Sequence, residues 1–119
     1  MPKRESLKSS ALGTLNQNTA VTVKCAITAD ASSGLEFAVP FAMDIYEVVA
    51  ICTTANASGT ATVSDGTNDI SDAVAMAVLD AVDRAATIDS TYSSVSGSIT
   101  VTTNGANDRG VVYVTGYRV

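Results

Sequence analysis

The sequence predicts an all-β fold: an antiparallel β-sandwich, jelly-roll-like, with about eight short strands and an extended N-terminal arm. Three observations lead there. Segments of β-branched and aromatic residues alternate at period two along the chain, as in 20–29 and 98–102. Clusters of Gly, Asn, Asp and Ser punctuate them at short intervals. The one Ala-rich stretch, 73–86, does not complete an apolar stripe wide enough for a core-facing helix.

In chain order, residues 1–18 are polar, lack strand alternation and read as the arm, and residues 19–119 form the sandwich domain. Within 20–29, Val21, Val23, Cys25 and Ile27 share one face, opposite Thr22, Lys24, Ala26 and Thr28, which describes a half-buried strand. Asp30 to Gly34 is a loop. A short strand over 35–39 stops at Pro40, which cannot donate to a ladder. The segment 41–54 is apolar on both faces, with Ile45, Val49 and Ile51 on one and Tyr46, Val48, Ala50 and Cys52 on the other. That pattern places it inside a sheet, with Glu47 expected near an exposed end. Asn56 to Gly59 is a turn, 60–64 a strand, and Asp65-Gly66 turns it.

The Ala-rich stretch 73–86 has helical propensity, but its incomplete stripe favours two strands, near 72–78 and 83–88, joined by a tight connection. Asp89 to Val95 reads as a single helical turn capped by Asp89 or Ser90. The chain closes with alternation over 98–102 and 111–119 around Asn104-Gly105 and Asn107-Asp108-Arg109-Gly110, the pattern of a β-hairpin. The last strand is apolar on both faces and is expected to be central.

A chain of 119 residues makes one domain with one core. An apolar content of 46% excludes a disordered body. No apolar run approaches the ~20 residues that span a bilayer, so no membrane partner is expected, and no apolar segment follows the basic N-terminus as a signal peptide requires. The net charge of −5 is unevenly placed: Lys3, Arg4 and Lys8 against Glu5 leave the first eight residues at +2 and the remainder at −7. Such a body repels phosphate and is a poor nucleic-acid binder. The arm is suited to an acidic protein surface or to nucleic acid, or is a solvated tail. Cys25 and Cys52 fall in apolar alternation and read as small buried hydrophobes in separate strands rather than as a bridge.

Little catalytic chemistry is visible. The chain has no histidine, which removes imidazole bases, Ser-His-Asp triads and His-metal sites. No Gly-rich phosphate loop precedes a helix. Asp65, Asn68, Asp69 and Asp72 gather oxygen ligands of the kind Ca²⁺ takes, but their spacing departs from the EF-hand loop and turn formation accounts for them. No metal, cofactor or catalytic residue is therefore assigned. The aromatic residues read as core or interface packing.

From Pro40 onward the order of segments resembles the small capsid decoration, or cement, proteins of tailed bacteriophages. The residues that carry the likeness are Pro40-Phe41-Ala42 leading into an apolar strand and Ala-Ser-Gly-Thr-Ala-Thr-Val over 57–63. Asp65-Gly66-Thr67-Asn68-Asp69-Ile70 and Arg84-Ala85-Ala86-Thr87-Ile88-Asp89 come next, then a Gly97-led strand and Gly110-Val111-Val112-Tyr113-Val114. The resemblance implies a non-enzymatic virion protein on the outer capsid surface, assembled in the host cytoplasm, that binds the major capsid protein and stabilises the shell. It also implies a homotrimer. Sequence favours self-association without choosing between two copies and three: Val111, Tyr113, Tyr117 and Val119 share a face of the last strand, with Tyr46 and Val48 expected nearby, and such a patch is rarely left bare. The arm residues Lys3, Arg4 and Lys8 are the candidate capsid contacts. Another virion component, such as a head-fibre base or tail protein, and a carbohydrate-binding sandwich are the alternatives.

Overall fold

The computed structural model describes residues 20–54 and 59–119. The arm, with Lys3, Arg4 and Lys8, and most of the turn expected at 56–59 lie outside the described residues. Among the described residues there are nine strands and no helix: β1 Ala20–Ile27, β2 Leu35–Ala38, β3 Met43–Cys52, β4 Thr60–Ser64, β5 Val74–Ala75, β6 Val82–Arg84, β7 Ser94–Val95, β8 Ser98–Thr103 and β9 Gly110–Arg118. They form two antiparallel sheets, β1-β9-β3-β6 with β7 also on β3, and β2-β8-β4-β5. The fold is the all-β sandwich that the alternation predicts.

The topology has a simple origin. The first half of the chain runs antiparallel to the second half in reverse order, so that β1 pairs β9, β2 pairs β8, β3 pairs β6 and β4 pairs β5. That ribbon then rolls up until β9 meets β3 and β8 meets β4, the jelly-roll arrangement. The inward residues of both sheets interdigitate as one core, including Cys25, Ile27, Ile45, Val48, Val63, Ile99, Val101, Val112 and Val114. Ile70 and Met76, from the segments flanking β5, are buried with them.

Three local expectations are corrected. The 98–102 and 111–119 strands exist, but they are not a hairpin. β8 lies in one sheet and β9 in the other, so residues 104–109 cross between layers. Asn104 ties this crossing to β4, its side-chain oxygen accepting the Thr60 N–H at 2.9 Å. Second, Asp89–Val95 is not a helical turn. The Asp89 carboxylate accepts the Thr91 N–H at 2.9 Å and the Tyr92 N–H reaches the Asp89 carbonyl, which closes a β-turn with the chemistry of a cap. Third, a β-bulge between Ile45 and Glu47 sets two residues, Tyr46 and Glu47, opposite Thr115. It flips the phase of β3: Ile45 points inward with Val48, Ala50 and Cys52, while Val49 and Ile51 turn toward the outer face. Glu47 thus sits mid-strand at the bulge rather than near an exposed end.

The ambiguous stretch 73–86 resolves as two short strands in different sheets, joined by a turn in which the Ala81 N–H bonds the Val78 carbonyl and Asp80 takes φ 63°. Cys25 and Cys52 are free, buried and on separate strands. Burial pushes the Cys25 thiol up to about 12.

Candidate interaction face

The two outer faces of the sandwich differ in chemistry because the outward residues of their strands differ. On the four-stranded sheet they are hydroxylated: Thr60, Thr62 and Ser64 on β4 lie beside Thr100 and Thr102 on β8. Ser98 donates to Glu36 across to β2 at 2.6 Å. On the five-stranded sheet they are apolar and aromatic. One row across the strands runs Ala26, Val111, Ile51, Val82, and the next runs Lys24, Tyr113, Val49, Arg84.

Beyond these rows, Thr22 and Thr115 share a hydroxyl hydrogen bond of 2.9 Å. The bulge sets Tyr46 against Tyr117, rings stacked with centroids 4.8 Å apart and planes at 23°. Offset stacking of this kind adds about 0.5–1.5 kcal/mol beyond area burial. Tyr46 and Tyr117 nevertheless stay 44% and 47% exposed, so the pair is a raised aromatic platform rather than core. The Tyr46 hydroxyl is shifted upward, first by partial desolvation and then by the neighbouring Tyr117 and Glu47 charges. At the opposite end Val82 is 65% exposed, and Val78 and Leu79 in the adjoining turn are exposed too.

Charge on this face is sparse but not confined to its edges, since Asp44 of β3 lies exposed opposite Tyr117. Lys24 stands on β1, and Arg84 on β6 reaches Glu47 on β3 at 3.6 Å. Past the end of the sheet, the Arg118 guanidinium lies over the Phe41 ring, 4.8 Å from its centroid.

The structure therefore places Tyr46, Val111, Tyr113 and Tyr117, the four residues expected at an interface from sequence, on one outer face, with Val111 at the end away from the Tyr46–Tyr117 pair. Val48 does not join them: it is 1% exposed in the core, turned inward by the bulge. Val49, Ile51 and Val82 belong to the face and escape the sequence reading, the first two because the bulge breaks period two within β3.

The acidic segment serves turns. The Asp65 carboxylate accepts the Thr67 and Asn68 N–H groups at 2.8 and 2.6 Å, and these bonds hold its carboxyl below the usual range. The Asp72 carboxylate accepts the Thr87 N–H. Among the described residues no three His, Cys, Asp or Glu side chains are placed to hold a metal ion. An open hollow runs between residues 69–72 and 87–89, and another lies over Thr60, Thr62, Thr102 and Asn104. No protein-family model matches this chain, and neither does any curated protein or any solved structure.

Proposed function

We propose that this chain is a non-enzymatic structural protein of a tailed-phage virion, a cement or decoration protein that binds the outer capsid surface and stabilises the shell as a homotrimer. The observation that carries the reading is the broad apolar and aromatic face of the five-stranded sheet. Small-molecule sites are concave and enclose most of their ligand. A flat face with tyrosines at one end and aliphatic side chains at the other offers area instead, which is what contact between macromolecules uses. The fold alone does not select a role, since jelly rolls serve in capsids and lectins alike. The resemblance of its segment order to that of cement proteins is what favours the virion. The major capsid protein is the assigned partner, and the basic arm with Lys3, Arg4 and Lys8 is the assigned capsid contact, opposite in charge to the body that it precedes. Many copies on a lattice reach high avidity from weak single contacts.

The test is co-sedimentation of the purified full chain with empty expanded heads built from the major capsid protein encoded with it. Saturable pelleting, together with heads that resist heat better when decorated, is the expected result. Heads that neither retain the chain nor gain stability overturn the reading. The exposed Tyr46–Tyr117 platform favours a second reading, a carbohydrate-binding sandwich. Glycan-array binding without affinity for heads selects it.

A further inference from the structure

The geometry points to Asn104-Gly105 as a latent modification site: a deamidation site that the folded crossing between the sheets holds inert and that opening of the crossing releases. Of the asparagines in the chain, only Asn104 is followed by glycine. The chemistry joins an asparagine side chain to the next backbone nitrogen, and glycine there has no Cβ to crowd the approach. The inference stands apart from the virion role, and its test involves no heads.

The reaction needs no reagent but water. The Gly105 nitrogen attacks the side-chain carbonyl carbon of Asn104. A bond forms between Gly105 N and Asn104 Cγ, and the Asn104 Cγ–Nδ2 bond breaks. The Gly105 amide proton leaves with Nδ2 as ammonia, and a succinimide ring remains. Water then opens the ring at either carbonyl. One opening leaves an aspartyl residue at position 104. The other leaves an isoaspartyl residue, whose main chain is longer by a carbon. Asn104 is exposed and borders the open hollow over Thr60, Thr62 and Thr102, so water reaches it.

Hydrogen bonds hold both reacting groups in the folded chain. Asn104 Oδ1 accepts the Thr60 N–H at 2.9 Å, and the Asn104 N–H donates to the Thr60 carbonyl at 3.2 Å. The side chain and main chain of Asn104 are thus both tied to β4. The nucleophile is tied elsewhere: the Gly105 N–H donates to Asp108 Oδ2 at 3.1 Å. Asp108 is fully buried, so the carboxylate is anchored inside the crossing. It occupies the direction in which the Gly105 N–H points, and it keeps the proton on the nitrogen in a bond of its own. The Thr103 hydroxyl pins the next peptide, donating to the Gly105 carbonyl at 2.8 Å. Reaction therefore waits until Gly105 leaves Asp108 and the Asn104 side chain leaves β4. The native rate is the unfolded rate multiplied by the open fraction. The change runs one way. An isoaspartyl main chain shifts the register in which residue 104 meets Thr60, so a chain that has opened and reacted does not reclose on β4. The site records opening and leaves the closed molecule unmarked.

The experiment is mass spectrometry of the full chain after incubation at mildly alkaline pH, with the conversion of amide to carboxylate read at position 104. The wild type is followed in buffer and in urea. The native protein is expected to react at least about tenfold more slowly than the unfolded chain. Asp108→Asn keeps the shape and removes the charge. In buffer it is expected to speed the reaction at position 104 about tenfold, as the open fraction rises, and in urea to leave the rate unchanged. Gly105→Ala slows the reaction in urea. A further readout needs no variant: hydrogen exchange at the Gly105 N–H should be slow in the native protein. Equal rates in buffer and in urea overturn the inference. So does a Gly105 N–H that exchanges as freely as in the unfolded chain. A folded Asp108→Asn protein that reacts no faster than wild type overturns it too, and a slower one makes the carboxylate a base rather than a latch. Where Asp108→Asn does not fold, the buffer-to-urea ratio and the exchange rate decide.

Discussion

Replacing Cys25 by alanine is expected to invert the order of stability of the two proteins as pH rises. Cys25 sits in β1 opposite Val112 of β9 and is fully buried. Burial raises its thiol from an ordinary 9.0 to about 12. Because the folded value is the higher one, the unfolded chain releases this proton first. The contribution is fully present below pH 9 and is lost as pH climbs from 9 to 12. One pKa unit corresponds to about 1.4 kcal/mol, so the residue forfeits about 1.4 kcal/mol by pH 10 and about 2 kcal/mol by pH 10.5. Cys25→Ala removes a sulfur from a closed core and costs about 1–2 kcal/mol at neutral pH, but it abolishes the alkaline loss. Urea unfolding under reducing conditions, from about pH 8 to about pH 10.5, reads both free energies. Every other titrating group is common to the two proteins and cancels in their difference. The wild type should lead at the low end, and the curves should meet near pH 10. Parallel curves over the whole range would refute the closed, dry environment assigned to this thiol.

The same structure carries other expectations. A thiol reagent should label Cys25 and Cys52 slowly in the native protein and fully in denaturant; rapid native labelling of both would contradict their burial. Gly116→Ala should destabilise by about 3 kcal/mol or more, because the new methyl meets the Asp44 carbonyl oxygen of the paired strand and lies 2.9 Å from Met43 Cε; an unchanged urea midpoint would sink that argument. Deleting residues 1–10 removes none of the nine strands, so thermal unfolding should hold. Head binding should weaken, most at low salt where charge attraction is least screened, and an affinity equal to wild type would make the arm dispensable.

Strand positions were legible where alternation is long and local. Val21, Val23, Cys25 and Ile27 announce β1 without ambiguity, and the doubly apolar 111–119 segment foretells the central place of β9 between β1 and β3. Pairing was not legible, because alternation states that a residue faces inward but not which strand lies beside it. The loop between Thr103 and Gly110 suits a hairpin and a crossing between sheets equally well. At Tyr46 a single inserted residue reverses every later assignment in β3, and no composition signal marks it. At Asp89 the carboxylate bonds a backbone N–H two residues on, and the same act begins a helix or closes a turn according to the path of the chain after it. The candidate face was half visible. Its tyrosines stand out in any reading, whereas Val82 belongs to a three-residue strand too short to show a period.

The reversed pairing of the two chain halves also governs when the molecule can form. Ala61 meets Val74, a near neighbour along the chain, whereas Ala20 waits for Tyr117 at almost the full length of the sequence. Loop closure costs more with each added residue, so the β4–β5 tip is the natural nucleus and pairing zips outward from it. Such remote contacts place refolding on the millisecond-to-second scale. During synthesis the larger sheet stays open until β9 has emerged, because β9 is the strand that joins β1 to β3. Until then β1 and the β9-facing edge of β3 lack their partner, the kind of unpaired apolar edge that favours aggregation of incompletely folded chains.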